Sequence, residues 1–426
     1  KMNTVEKYKN YVNTSFVKAI EPVIVTNASG SKITSEDGKV YTDLYSGISV
    51  VNAGHCNPEV AEAAKAQIDK LIHCGTYVYY SPTAADFAEK LAEVAPGRLQ
   101  KTFFGNGGAE ANECGMRMAK QYTKKQEFIA LQGSFHGRSL ATLSITGNKA
   151  RKKGGGPYIP GVAFNPAPYC YRCGFDMSYP SCDLYCAKYL ERTIQYDTSD
   201  NVAAFVAETI MGEGGIIVPP KEFFKEIKKI LDQYGILLFL DEVQAGFGRS
   251  GKLFAIEHYD VEPDIMTMAK GIAAGFPLSA CIARPEIADS FRPGDHLSTF
   301  GGNPVSCAAA IANLNYMLRE KLPEKAMEKG KIFIEELKEI QKKTPLIGDV
   351  RGSGLMIGVE LVRDKRKTPA AEEAAKIKTL MREKGFLIGL GGTFANVLRL
   401  QPPLVISSEE LSSAANALSE CFRELV

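Results

Sequence analysis

The chain has 426 residues, with 51 lysines and arginines against 49 aspartates and glutamates for a net charge of +2, long enough for a large domain and a smaller one. That balance supplies no field to draw in a nucleic acid or an anionic membrane surface, so neither partner is expected. No apolar run approaches the roughly 18 residues of a membrane span, and the opening KMNTVEKYKNYVNTSF lacks a signal peptide's apolar core; with ten cysteines, this predicts reduced thiols and a cytoplasmic location.

Taken in chain order, the first 60 residues, with GSKITSEDGKVYTDLYSG, read as a small hairpin meander. KTFFGNGGAEANECGMRMAKQYTKK (101–125) reads as a strand, a glycine-rich turn and a helix. Gly107, Gly108 and Ala109 leave bare backbone amides at that helix's N-terminus, a seat for a phosphate. There is no G-x-x-x-x-G-K-[ST], which argues against a nucleotide P-loop. SFHGRS (134–139) sets Phe135 three positions before Arg138. The first can stack on a flat ring and the second can grip a carboxylate with two parallel hydrogen bonds.

ARKKGGGP (150–157) reads most simply as a mobile solvated loop, or as basic residues meeting an anionic substrate such as a coenzyme A thioester. YCYRCGFDMSYPSCDLYC (169–186) spaces Cys170, Cys173, Cys182 and Cys186 as C-x2-C-x8-C-x3-C. That spacing suits a four-thiolate zinc site, but reduced thiols or a loop-tying disulfide are preferred, and no metal is expected in the chemistry.

KEFFKEIKKILDQY (221–234) follows Pro219 and Pro220 and places Phe223, Ile227, Ile230, Leu231 and Tyr234 on one helical face, with Gly235 as the stop. ILLFL (236–240) then reads as a strand covered on both faces of a parallel sheet. Asp241 and Glu242 follow at its carboxyl end, where open α/β sheets bind ligands. DIMTMA (264–269) reads as a neighbouring strand ending at Lys270, an ammonium among apolar and small residues. An amine and an acid on adjacent strand ends are what pyridoxal phosphate requires: the amine holds the aldehyde, and the acid keeps the ring nitrogen protonated. GFGRSG (246–251) satisfies the dinucleotide fingerprint G-x-G-x-x-G, but five residues separate it from the strand, which argues against that use. From about residue 311 a helical pattern leads into DVRGSGLMIGVELV (349–362), a glycine-punctuated turn and a strand.

Together the segments GISVVNAGH (47–55), FFGNGGAEANE (103–113), SFHGRS, ETIMGEGG (208–215), LDEVQAGFGRSG (240–251), MAKGIAAGFPLSA (268–280), STFGGNP (298–304), VRGSGLMIGVEL (350–361) and VLRLQPPL (397–404) resemble the class III, or ω-amino acid, aminotransferases. Within that family the pattern is most similar to the 4-aminobutyrate, acetylornithine and ornithine enzymes. The resemblance implies an α/β fold of type I. Residues 61–310 would form a large domain with a mainly parallel seven-stranded sheet, and residues 1–60 and 311–426 a small α+β domain.

The resemblance also implies roles. Lys270 is the Schiff-base lysine, Asp241 the partner of the ring nitrogen, and Gln244 a donor to the phenolic oxygen. Phe135 and Val243 sandwich the ring, with His136 and Glu208 beside the cofactor. Gly107, Gly108 and Ala109 hold the phosphate, joined by Thr299 of the opposite subunit of a homodimer, itself open to pairing as a dimer of dimers. Ile48, Arg138, Glu213 and Arg399 contact substrate, Glu213 pairing with Arg399 when no carboxylate occupies it. The implied partners are an amino donor and 2-oxoglutarate, and a racemase on the same scaffold is the alternative. Thr209 and Met211 stand where the family usually carries proline and glutamine, which leaves the donor open. His55 and His136 are assigned packing or hydrogen-bonding roles rather than proton transfer.

Overall fold

The apolar run at 236–240 becomes the strand Leu237–Asp241, every residue of it buried, at the centre of a seven-stranded sheet. The computed structural model describes residues 2–13 and 20–425. In spatial order the strands are Lys101–Gly105, Ser279–Ala283, Ile265–Met268, Leu237–Asp241, Val202–Glu208, Glu127–Leu131 and Val162–Asn165. Ser279–Ala283 runs antiparallel to both its neighbours, and the remaining pairs are parallel. This is the mainly parallel sheet expected.

Successive residues of a strand face opposite sides, so a sheet covered twice needs apolar side chains at every position. Leu238 and Leu240 join the cluster of Phe223, Ile227 and Leu231, while Leu237 and Phe239 join that of Cys114, Met116 and Met118. The first group belongs to the helix Phe223–Tyr234, which ends where Gly235 (φ 60°) donates its N–H to the Leu231 carbonyl. The second belongs to the helix Gly108–Thr123. That helix lies so close to the sheet that a Cβ on Gly115 would fall 2.4 Å from the Phe239 ring.

Val25–Ser29, Lys32–Ser35 and Val40–Asp43 form the antiparallel meander, and Phe386–Leu387 adds to it in parallel, tying the two ends of the chain into one sheet. A third sheet orders Ile347–Ser353, Met356–Leu361, Val397–Leu400 and Gly389–Gly391. Two expectations change here. The helical stretch begins at Pro304, capped by the Asn303 side chain, and breaks near Pro323 into Pro304–Arg319 and Leu322–Gln341, because proline opens a helix but cannot continue one. Residues 349–362 form a hairpin of two strands rather than a turn and one strand.

GFGRSG is a loop beyond the central strand. Its Arg249 is fully buried and donates to the carbonyls of Leu355 (3.0 Å) and Pro402 (2.5 Å) and to Asn52 Oδ1 (2.6 Å). The motif joins N-terminal, central and C-terminal segments behind the strand ends.

Candidate active site

Three strands deliver acids and an amine to one edge of the sheet. Glu208 and Asp241 stand in register on adjacent strands, and Asp241 is in register with Thr267, just before Lys270. All three chemical groups line one cavity of about 500 Å³. Burial lowers the Lys270 pKa from its ordinary value; the carboxylates of Asp241, Glu208 and Glu213 oppose that shift, and Arg399 adds to it. Lys270 also holds a left-handed backbone (φ 47°), a conformation a non-glycine residue keeps only where its surroundings impose it.

Asp241 is fixed from three directions. Its Oδ2 accepts from Asn112 Nδ2 and faces His136 Nδ1, each at 2.8 Å, and its Oδ1 accepts from the Val243 N–H at 2.9 Å. Asn112 is itself locked, donating to the His136 carbonyl and accepting from Thr267 Oγ1 at 2.6 Å. Glu208 accepts from the N–H groups of Phe135 (2.9 Å) and Gly212 (2.8 Å). Burial, helped by the Asp241 charge, still pushes its pKa up to about 7.

Gly107, Gly108 and Ala109 line the cavity at the start of the 16-residue helix Gly108–Thr123. First-turn amides have no intrahelical acceptor and sit at the positive end of the helix dipole. A Cβ on Gly108 would fall 3.0 Å from Val243, so glycine lets the two approach. Phe135, His136, Val243 and Gln244 line the same space.

Ile48, Arg138 and Glu213 also line the cavity. Ile48 sits in a left-handed turn of four residues, Ser46–Ser49, all with positive φ. Asp43 Oδ1 accepts the N–H groups of Tyr45 (2.8 Å) and Ser46 (2.9 Å) and braces that turn. Arg399 is buried behind Glu213, its Nη1 3.1 Å from Glu213 Oε2. Its other groups donate to the Leu390 carbonyl (3.1 Å) and to the Tyr45 hydroxyl.

The arrangement joins a buried amine, a buried and fully oriented carboxylate, a helix N-terminus and the Arg138 guanidinium around one cavity, with Arg399 paired to the lining Glu213. A family model described as "Aminotransferase class-III" matches residues 15–422. The chain belongs to the class III aminotransferases. It is 40% identical to an acetylornithine aminotransferase of Methanopyrus kandleri, over 94% of this chain and 95% of the relative. A leucine/methionine racemase of Thermococcus litoralis is 37% identical, over 100% and 96%. Among solved structures, an amine transaminase from an uncultivated Pseudomonas species in its PLP-bound form superposes with a TM-score of 0.93 at 32% identity, covering 97% of this chain and 98% of that one.

Class III aminotransferases depend on pyridoxal phosphate, and the residues of this cavity fit it. The first-turn amides of Gly108 and Ala109 suit the phosphate. Gln244 lines the cavity and its side-chain amide carries an N–H that can donate to the ring's oxygen. His136 Nε2 is buried and unpartnered.

The cavity gathers the sequence-predicted aminotransferase residues apart from Thr299 and Arg399. Thr299 is exposed, outside its own chain's cavity. Thr209 and Met211 are fully buried and support the site rather than line it; Thr209 Oγ1 donates to Glu242 Oε1 at 2.7 Å. ARKKGGGP is not simply a solvated loop. Lys149–Lys152 is a short helix capped by Asn148, and Arg151 reaches inward to Glu213. Asn112, Tyr45 and Arg151 are the site residues that sequence reasoning missed. Asn112 lay inside the FFGNGGAEANE segment, but neither its polar neighbours Glu110 and Glu113 nor any spacing singled it out. Cys170, Cys173, Cys182 and Cys186 line one small cavity as free thiols, and among the described residues no group of three or more His, Cys, Asp or Glu could hold a metal ion. His55 pairs with Asp43 at 2.7 Å.

Proposed function

We propose that this enzyme moves the amino group of an ω-amino or β-amino acid, or a related amine, to 2-oxoglutarate, giving an aldehyde or ketone and glutamate. The ion pair between Glu213 and the buried Arg399 carries the reading. An ω-amino donor has no carboxylate beside its amine, and a buried guanidinium left unpaired costs several kcal/mol, about 3–5 when a buried pair is broken. Glu213 removes that cost. A 2-oxo acid brings its own carboxylate for Arg399, and Arg138 receives the carboxylate at the far end of either substrate.

When bound, pyridoxal phosphate supplies an aldehyde that accepts amines and a ring that takes up the electron pair released at the substrate carbon. The amides of Gly108 and Ala109 bind its phosphate beside Gly107, whose own N–H is donated to Glu110 Oε2 at 3.2 Å rather than left bare, with Thr299 of the partner subunit in a homodimer. Phe135 and Val243 orient the ring, and Gln244 meets its oxygen. Asp241 holds a proton at the ring nitrogen, steadied by His136 and Asn112. Lys270 moves the proton at the substrate carbon, and its lowered pKa favours the neutral amine that can accept one. Exposed apolar residues around Thr299, among them Leu297, Phe300, Val78 and Tyr80, support the homodimer.

Racemisation is the second reading, favoured by the full-length match to a leucine/methionine racemase. A panel of donors (4-aminobutyrate, ornithine, N-acetylornithine, β-alanine) with 2-oxoglutarate or pyruvate, read by release of glutamate or alanine, tests the first. No transfer from any pairing overturns it. Inversion of a single enantiomer with no oxo acid present establishes the second.

A further inference from the structure

Glu213 faces two guanidinium groups, not one. Its Oε2 meets Arg399 Nη1 at 3.1 Å, while its Oε1 accepts from Arg151 Nε at 2.9 Å and from Arg151 Nη2. Each carboxylate oxygen therefore has its own arginine. The two arginines are held differently. Arg399 is nearly inaccessible and tied to the Leu390 carbonyl and to Tyr45, whose ring lies 5.2 Å from the guanidinium carbon. Arg151 is about a quarter exposed and rides on a four-residue helix at the surface.

We infer that Arg151 is a positioning residue that keeps Glu213 paired when a substrate carboxylate takes Arg399, which makes it a determinant of affinity for the carboxylate-bearing acceptor. The inference rests on the reading that Arg399 receives that carboxylate. The physical ground is the cost of stranding a buried charge. Glu213 is about one-tenth exposed, so a carboxylate pushed off its sole partner would either resist displacement or sit unpaired in a poorly solvated site. With Arg151 on the opposite oxygen, Glu213 releases Arg399 by a short rotation and stays neutralised throughout. Arginine suits this task because its planar fork places two donors on one carboxylate in a fixed geometry, whereas a lysine supplies a point charge on a flexible stem. The amine donor, which leaves the Glu213–Arg399 pair intact, has no use for this second contact. Arg151 thus acts on one half of the exchange.

The test is steady-state kinetics of the cofactor-loaded enzyme with its best amine donor and 2-oxoglutarate, for the wild type and for Arg151→Leu, Arg151→Lys, Glu213→Gln, Arg399→Leu and the double variant Arg151→Leu/Glu213→Gln. Arg151→Leu is expected to raise the 2-oxoglutarate KM about tenfold relative to the donor KM, and Arg151→Lys to recover part of that change. With Glu213→Gln as the background there is no charge to strand, so adding Arg151→Leu leaves the KM ratio unaltered. A role in folding the surface helix would instead lower kcat and shift both KM values alike in every background, and that result overturns the inference. An unchanged KM ratio in Arg151→Leu overturns it too. The underlying reading fails separately, if Arg399→Leu leaves the 2-oxoglutarate KM as it was.

Discussion

His136 Nδ1 lies 2.8 Å from Asp241 Oδ2, with both side chains buried. The imidazole and Asn112 share one oxygen of that carboxylate, while the other accepts the Val243 N–H. A carboxylate gripped by three groups does not rotate easily, so it is oriented to meet a protonated ring nitrogen opposite. Asp241→Asn keeps the shape and removes the charge. We expect kcat to fall about 10²- to 10³-fold, the cost of losing one preorganised electrostatic partner. His136→Ala removes one hydrogen bond to a charged group and should cost about tenfold in kcat. Equal effects of the two variants, measured in parallel, would mean that the imidazole does more than orient the acid.

Lys270 combines a pKa lowered by burial with a left-handed backbone. No other ammonium group lines the cavity among the described residues. Lys270→Ala should lose turnover entirely and lose the visible absorbance of the loaded enzyme. Borohydride treatment of the wild type should fix the cofactor to the peptide carrying Lys270. Labelling of any other lysine refutes the assignment.

The central strand, its acid and the neighbouring lysine were legible because short apolar runs and strand-end polar residues are local patterns. Asp241 and Lys270 could be paired from spacing alone, and Gly107 to Ala109 from the glycine-rich turn. Tyr45 and Arg151 were not legible. Each reaches the site from a segment far along the chain, and its partner is set by how the meander and a surface helix pack, which no local pattern encodes. Arg151 also sat in a basic, glycine-rich run, and such composition ordinarily signals solvent. The left-handed turn at Ser46–Ser49 was hidden for a related reason: Ile48 is β-branched and disfavours positive φ, and the bonds that hold the turn come from Asp43 and from Gln401, far along the chain.

Glu242 gives a pH prediction with a definite sign. Burial pushes its pKa up from the ordinary 4.5 to about 7, against three donors, Thr209 Oγ1 and the N–H groups of Ala255 and Ile256. A carboxyl whose folded pKa lies above its unfolded value gains a proton on folding between the two. Its contribution is complete below 4.5 and is lost as pH rises through about 7. Thr209→Val removes a donor to the charged form, so the ionised state becomes costlier still. The variant should lose about 2 kcal/mol at pH 8, where the acid is ionised, and about 1 kcal/mol at pH 5.5, where it is protonated. Denaturant unfolding at the two values checks this, and a larger loss at the lower pH contradicts it.

Thr299 stands exposed in the loop before Pro304, beside Phe300, whose ring lies 5.5 Å from His73. The two segments are stitched together: Asn303 Nδ2 donates to the Ile72 carbonyl at 2.9 Å, and Thr76 Oγ1 donates to the Gly301 carbonyl. Ile72, Val78, Tyr79, Tyr80, Leu297 and Phe300, large apolar or aromatic residues of these two linked segments, are all exposed, and clustered exposed apolar residues are what a partner surface covers. If a second copy covers them and lends Thr299 to the first copy's phosphate, two substitutions separate the roles. Phe300→Asp puts a charge in the apolar contact and should convert dimer to monomer in sedimentation, with loss of activity. Thr299→Ala should leave the mass unchanged and weaken cofactor binding about tenfold, the worth of one hydrogen bond to a charged group. A Phe300→Asp protein that remains dimeric places the interface elsewhere. A Thr299→Ala protein with wild-type cofactor affinity removes Thr299 from the phosphate seat while leaving the dimer intact.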